Sequence, residues 1–190
     1  MELQLSARYG VGRAAIRAAL AELDTEGLVT RESNRGAAVR RISLAEAIEI
    51  SEVRAALEGL VARRAAEVAT TAERRELKAI VASMERAVKR GELLDYARLN
   101  QTLHRRLREV ARHGVANELV ANLRNRSAHH QFRLSTVAGR AAQSLRQHRD
   151  VVTAVIAGDG DAADAAMRVH LSSVADVLRK WDESTVGELE

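Results

Sequence analysis

The chain contains no cysteine and no proline. Without cysteine there are no disulfides, no thiolate metal sites and no cysteine nucleophile. Without proline nothing interrupts a long helix from within. Aromatic residues make up 2% of the 190 positions while hydrophobic residues reach 46%, so a core has to be built from Ala, Leu and Val. Such a core suits helices packed closely through small side chains. No apolar run approaches the roughly 20 residues that span a bilayer, and no signal peptide is visible, so a cytoplasmic protein without a membrane partner is expected. Thirty Lys and Arg against 26 Asp and Glu give a net charge of +4, which suits nucleic acid without requiring it. The distribution of the charge is more informative than its sum.

That distribution is most uneven over residues 10–41. Ile16, Leu20 and Leu23 recur at helical spacing and form an apolar stripe. Gly12 stands at the N-cap position, where glycine is tolerated but offers no side-chain oxygen. Gly27 stops the helix, because it adopts the left-handed conformation common just past a C-terminus. Leu28-Val29-Thr30 reads as a short strand, residues 33–36 as a turn, and residues 37–40 as a return strand. Arg13 and Arg17, four apart, project from neighbouring turns beside the stripe. Arg31, Arg35, Arg40 and Arg41 load the hairpin with positive charge, and Gly36 lets the turn come close to another backbone. Helix, strand, turn, strand is the order of a winged helix-turn-helix, in which guanidinium groups neutralise phosphates and read guanine.

From Ser43 onward the pattern is helical throughout. Ile50, Val53, Leu57 and Leu60-Val61 predict an apolar face on a helix over about 44–68. Thr70 with Glu73 is a capping box ahead of a second helix that ends near Gly91. Four more helices are predicted, over about 92–112, 115–134, 139–158 and 159–181. Six antiparallel helices with short connections make an all-α bundle. The expected fold is therefore mostly α. It has a winged helix-turn-helix over 1–42, a six-helix antiparallel bundle over 43–182, and an acidic tail over 183–190.

Three of the bundle helices carry a histidine in line with their apolar residues. His104 follows Asn100 by one turn beside Leu99, Leu103 and Leu107; His148 lies in line with Leu145, Val152 and Val155; His170 lies in line with Met167 and Val174. A single inward histidine is most simply a core residue satisfied by local hydrogen bonds. Three of them each need buried partners, and one shared divalent cation satisfies all three. Three imidazoles and one oxygen suit zinc, nickel, manganese or iron(II). His113 sits where a helix ends, and His129 and His130 face different directions; these three read as structural or surface residues.

Residues Gly10, Val11, Gly12, Arg13, Ile16, Arg17, Ala19, Leu20, Leu23, Gly27 and Leu28, with Arg35-Gly36 in the wing, resemble the DNA-binding domain of GntR-type bacterial transcription regulators. Gly12 stands where the family commonly has serine. The family also carries a strand and a first helix ahead of the point where this chain begins, so the resemblance implies a shortened unit without its first helix. Residues 44 to about 181 resemble the FCD ligand-sensing domain of the FadR subfamily. The matching pieces are Val53-Arg54 with Leu57-Glu58, Asn100 with Leu103-His104, Ser144-Leu145 with His148, and Gly158-Asp159 through Met167 to His170-Leu171.

The resemblance implies an aspartate and three histidines that bind a divalent metal and help to hold a small carboxylate. Carried over, the ligands are Asn100, His104, His148 and His170. Asn100 departs from the commoner aspartate and leaves the site one unit more positive, which favours looser metal binding or completion by an anionic ligand. Arg54 leads the candidates for grasping the effector acid, followed by Arg126 and Arg133, because the guanidinium fork matches a carboxylate. Each of them can equally pair with Glu58 or another acid. The DNA contacts fall to Arg13, Arg17, Arg31, Arg35 and Gly36. The expected protein is a homodimeric repressor or activator whose operator affinity changes when a small organic acid binds, and no catalytic residues are expected. Two alternatives stand beside it: a metal-dependent helical-bundle enzyme, for which no adjacent general base stands out, and a sensor-only remnant that no longer binds DNA.

Overall fold

A computed structural model describes residues 2–32, 36–127, 130, 134, 137 and 139–180, with the side chains of Arg31 and Glu32 left aside. The wing arginine Arg35, the effector candidate Arg133, and His129 lie outside the described residues, as does the acidic tail.

The N-terminal unit begins with α1 (Glu2–Tyr9), which the sequence reading did not name. It has no buried side chain, and its Leu3 and Tyr9 are exposed, so it has no apolar stripe to announce it. The recognition helix α2 (Arg13–Thr25) starts at Gly12, which caps it without a side-chain bond. It ends at Glu26, followed by Gly27 with φ +71°. Ile16 is buried, whereas Leu20 and Leu23 are half-buried. The hairpin pairs β1 (Val29–Glu32) antiparallel to β2 (Gly36–Val39), with Val29 opposite Val39 and Glu32 opposite Gly36. Gly36 has φ +97°, a conformation costly for any side chain.

The bundle is organised around α3 (Leu44–Val68), which runs against most of the other bundle helices. Its first turn is fixed by the Ser43 hydroxyl, which accepts from the Glu46 N–H at 3.1 Å. Then follow α4 (Thr71–Arg90), α5 (Leu93–Ala111), α6 (Gly114–Arg126), α7 (Arg140–Ala157) and α8 (Gly160–Arg179). The capping box of Thr70 and Glu73 is present, and Gly91 closes α4 at φ +72°. The central cluster consists mainly of Ala, Leu and Val with Met84 and Met167, as the shortage of aromatics requires.

Two expectations hold only in part. Of the apolar face expected on α3, Ile50 and Val61 are buried and Leu57 is half-buried, whereas Val53 and Leu60 are exposed at 51% and 39%. Beside Ile50 and Val61 the buried face carries mainly small and polar residues: Ala47, Ser51, Arg54, Glu58, Gly59, Ala62, Ala65 and Ala66. Small residues win because α8 lies close upon α3: a Cβ on Gly59 would overlap the Asp164 carboxylate. The second concerns His113. It directly follows Arg112, the C-cap that ends α5 as expected, but it is also the N-cap of α6, where its Nδ1 accepts from the Ala116 N–H at 3.3 Å.

Candidate metal and effector site, and nucleic-acid interface

The helical period aligns the polar residues of the bundle into three inward columns. On α5, Tyr96, Asn100 and His104 follow one another at four-residue steps; on α7, Arg140, Ser144 and His148 do the same; on α3, Arg54 and Glu58 are one turn apart. His170 of α8 completes the set. His104, His148 and His170 are all buried, with ligand nitrogens within 4.8 Å of one another.

The partners of each ring define its lone pairs. His104 Nδ1 lies 2.6 Å from Glu58 Oε2, so it donates to that carboxylate and its Nε2 keeps a lone pair. His170 Nδ1 lies 3.1 Å from Gln147 Oε1, which also accepts from Ser173 Oγ at 3.0 Å. That assigns the proton to Nδ1 and the lone pair to Nε2. His148 Nδ1 has the hydroxyls of Tyr96 and Ser144 at 3.4 Å each, and its Nε2 lies 3.2 Å from His104 Nε2.

The charge environment keeps these rings neutral. Burial lowers the pKa of all three, well below the ordinary value for His148 and His170. Neighbouring imidazoles and Arg140 add to the effect at His148 and His170. Burial would push the Glu58 carboxyl up, but Arg54, His104 and Arg124 outweigh it and hold it well below the carboxylate range. Arg54 clamps Glu58 Oε1 through Nε at 2.8 Å and Nη2 at 2.7 Å, and Arg124 Nη1 stands 3.8 Å away. Burial brings Arg124 down to about 10.

Beside the rings is a cavity of about 70 Å³, lined among others by Arg54, Tyr96, Asn100, Arg124, Arg140 and Ser144. Asn100 Oδ1 is buried there without a hydrogen-bond partner. An orphaned amide oxygen beside two facing Nε2 atoms fits a cation better than it fits an empty core. The donor set therefore suits a divalent ion.

Of the anticipated residues, Asn100, His104, His148, His170 and Arg54 are brought together. Arg126 does not line this cavity; it pairs with Glu46 at 2.6 Å at the far end of α3. The helical register explains this, since two residues advance about 200° around a helix and Arg124 takes the inward position instead. Arg124, Arg140, Tyr96 and Ser144 were missed, although the four-residue steps leading to His104 and His148 were readable signals.

At the other end, Arg13 and Arg17 are exposed on α2. Arg31 sits on β1 and Gly36 opens β2, on the wing beside that helix. No helix among the described residues is long and apolar enough to cross a membrane.

A helix-turn-helix with a β-hairpin wing, attached to a helical bundle with a polar cavity, is the architecture of a transcription regulator. Residues 1–39 match the bacterial regulatory proteins of the gntR family, and residues 49–173 match the FCD domain. The chain belongs to the GntR family, in the group that carries an FCD domain, and is a transcriptional regulator, not an enzyme. It is 30% identical over 179 residues to the HTH-type transcriptional repressor RspR of Escherichia coli (strain K12), covering 94% of this chain and 78% of that one. It is 28% identical over 204 residues to the HTH-type transcriptional regulator LutR of Bacillus subtilis (strain 168), covering 96% and 91%. The fold is shared with E. coli McbR/YncC at a TM-score of 0.79 and 16% identity, over 95% of this chain and 86% of that one.

Proposed function

We propose that this regulator is a homodimeric repressor released from its operator by a small organic acid bound in the bundle cavity. The observation that carries the reading is the convergence of three neutral, buried imidazoles and an orphaned Asn100 oxygen on a cavity lined by arginines. His104, His148, His170 and Asn100 would hold a divalent ion (zinc, nickel or manganese), which supplies positive charge and open positions for a carboxylate. Glu58 and Gln147 orient two of the rings through their Nδ1 protons. Arg54, Arg124 and Arg140 provide the guanidinium groups for an anionic effector, and Tyr96 and Ser144 provide hydroxyls for its polar substituents. With asparagine in place of a carboxylate, Glu58 is the nearby negative charge among the described residues, so an anion completes the site.

On DNA, two copies would place α2 in successive major-groove turns, Arg13 and Arg17 gripping the duplex while Arg31, Arg35 and Gly36 bring the wing against it. The FadR-type assignment, the division at residue 42 and a working DNA-binding unit belong to this same reading. The resemblance to a repressor supports the sign of regulation.

Fluorescence anisotropy on the DNA immediately upstream of the gene, titrated at two salt concentrations, tests it. Arg17→Ala should weaken binding by about 1–3 kcal/mol. The same variant should leave zinc binding, measured by equilibrium dialysis, unchanged. Equal operator affinity for both chains at fixed salt would overturn the assignment of α2, and zinc uptake that survives His104→Ala would overturn that of the cavity.

A further inference from the structure

The last turn of α6 is held by two carboxylates of α3 on opposite sides. Arg124 points into the cavity and stands 3.8 Å from Glu58. Arg126 points the other way, with Nη2 at 2.6 Å from Glu46 Oε1. Glu46 and Glu58 are twelve residues apart, about 18 Å along the helix, so Arg126 reaches the first turn of α3 and Arg124 its middle.

Glu46 is also the anchor of the DNA-binding unit. Arg40, which follows β2, places Nη2 2.9 Å from each Glu46 oxygen. The Arg126 stem lies over the end of the recognition helix: a Cβ on Gly27 would come within 3.4 Å of Arg126 Cδ and Nε, and within 3.5 Å of Arg40 Nη1. His130, just beyond α6, has Nε2 3.1 Å from the carbonyl oxygen of Ile42 in the connector. The end of α6, the start of α3, the wing and the end of α2 therefore meet at one carboxylate.

We infer that the Arg40–Glu46–Arg126 clasp is the relay by which the bundle cavity sets the position of the recognition helix and wing. Arg124 and Arg126 belong to one rigid turn, so a change in what holds Arg124 inside the cavity moves Arg126 outside it. Moving Arg126 redistributes the hydrogen bonds of Glu46 and loosens Arg40 and the surface under Gly27. Any anion that draws Arg124 from Glu58 has this consequence. The relay rests on contacts present without metal or effector, so it stands or falls separately from the ligand reading.

The test therefore uses neither. Hydrogen exchange is followed by mass spectrometry on the full chain in four forms: wild type, Arg124→Gln, Glu46→Gln, and the double variant. Arg124→Gln should speed exchange of the hairpin amides at 29–39 by about threefold or more, although it touches none of them. Glu46→Gln should raise hairpin exchange by itself, and adding Arg124→Gln should then produce no further change, which is the signature of coupled sites. Hairpin exchange unaltered by Arg124→Gln in a folded chain, or an undiminished additional increase in the double variant, overturns the relay. Thermal unfolding establishes that each variant is folded. Arg124→Lys, which keeps the charge but loses the planar fork, replaces Arg124→Gln if that chain fails to fold, and the same pattern decides.

Discussion

The two regions of this molecule solve the same problem with very different resources. The bundle buries Leu77, Met84, Leu103, Leu107, Met167 and Leu171 almost completely and can therefore accommodate a cluster of histidines, arginines and a glutamate in its interior. The N-terminal unit buries one side chain among its described residues, Ile16. A polar cavity is tolerable only where enough apolar surface around it offsets the cost of desolvation. A recognition surface needs the reverse: short elements, exposed arginines and little core. The larger core lies in one region and the exposed arginines of α2 in the other, and the small unit meets the bundle through Arg40, Glu46 and Arg126.

The largest expected effect separates the two. Leu103→Ala removes a fully buried side chain from the centre of the bundle and should cost about 3 kcal/mol in urea unfolding. Ile16→Ala should leave that global transition nearly in place while the exchange of α2 and hairpin amides rises, because the small unit melts locally. A global loss from Ile16→Ala as large as that from Leu103→Ala would mean that the two regions unfold as one cooperative body.

A second contrast is electrostatic and confined to the bundle. Burial depresses the folded-state pKa of His104, His148 and His170, so as pH falls the unfolded chain takes up protons before the folded one. Stability from these rings is complete above their unfolded value of about 6.5 and is lost as pH drops below it. Glu58, also depressed, acts in the same direction: its contribution is present above the unfolded carboxylate value and fades as pH falls toward its folded one. With chelator present, the midpoint of thermal unfolding should fall from about pH 7 to about pH 5, and His148→Asn should flatten the slope. A wild-type midpoint insensitive to pH across that window would contradict the neutral, buried state of the rings.

How far the sequence disclosed this division depends on the kind of signal. The capping box at Thr70 and Glu73, the glycine stops at Gly27, Gly91 and Gly158, and the inward columns of His104, His148 and His170 are local and periodic, and they were legible. The buried face of α3 was legible only in part, through Ile50 and Val61. Its burial follows from the close approach of α8 over Gly59 and the alanines, a tertiary fact that overrides the larger but exposed Val53 and Leu60. Arg124 and Arg126 illustrate the same limit, since either could face inward until the register of α6 against α3 is known. The helix α1 escaped notice because a helix without buried residues has no stripe to read.

The smallest predicted effect sharpens the contrast at the level of helix ends. Four bundle helices, α3, α4, α6 and α8, begin at Ser43, Thr70, His113 and Asp159, whose side chains accept from a backbone N–H of the first turn. The recognition helix begins at Gly12, where φ −66° and ψ 151° already suit a cap but no side-chain oxygen is present. A Cβ at Gly12 meets nothing within 4 Å, so serine fits without strain. Gly12→Ser should stabilise α2 by roughly 0.3 kcal/mol, because glycine is only slightly inferior to serine at this position. The effect should be visible as a slowing of α2 amide exchange by less than twofold, with no shift in the global urea transition. A larger slowing that extended into the hairpin would show that the frayed start of α2 limits the whole unit. No slowing at all would place the weak point of the unit at its far end, where Gly27 rests against Arg126.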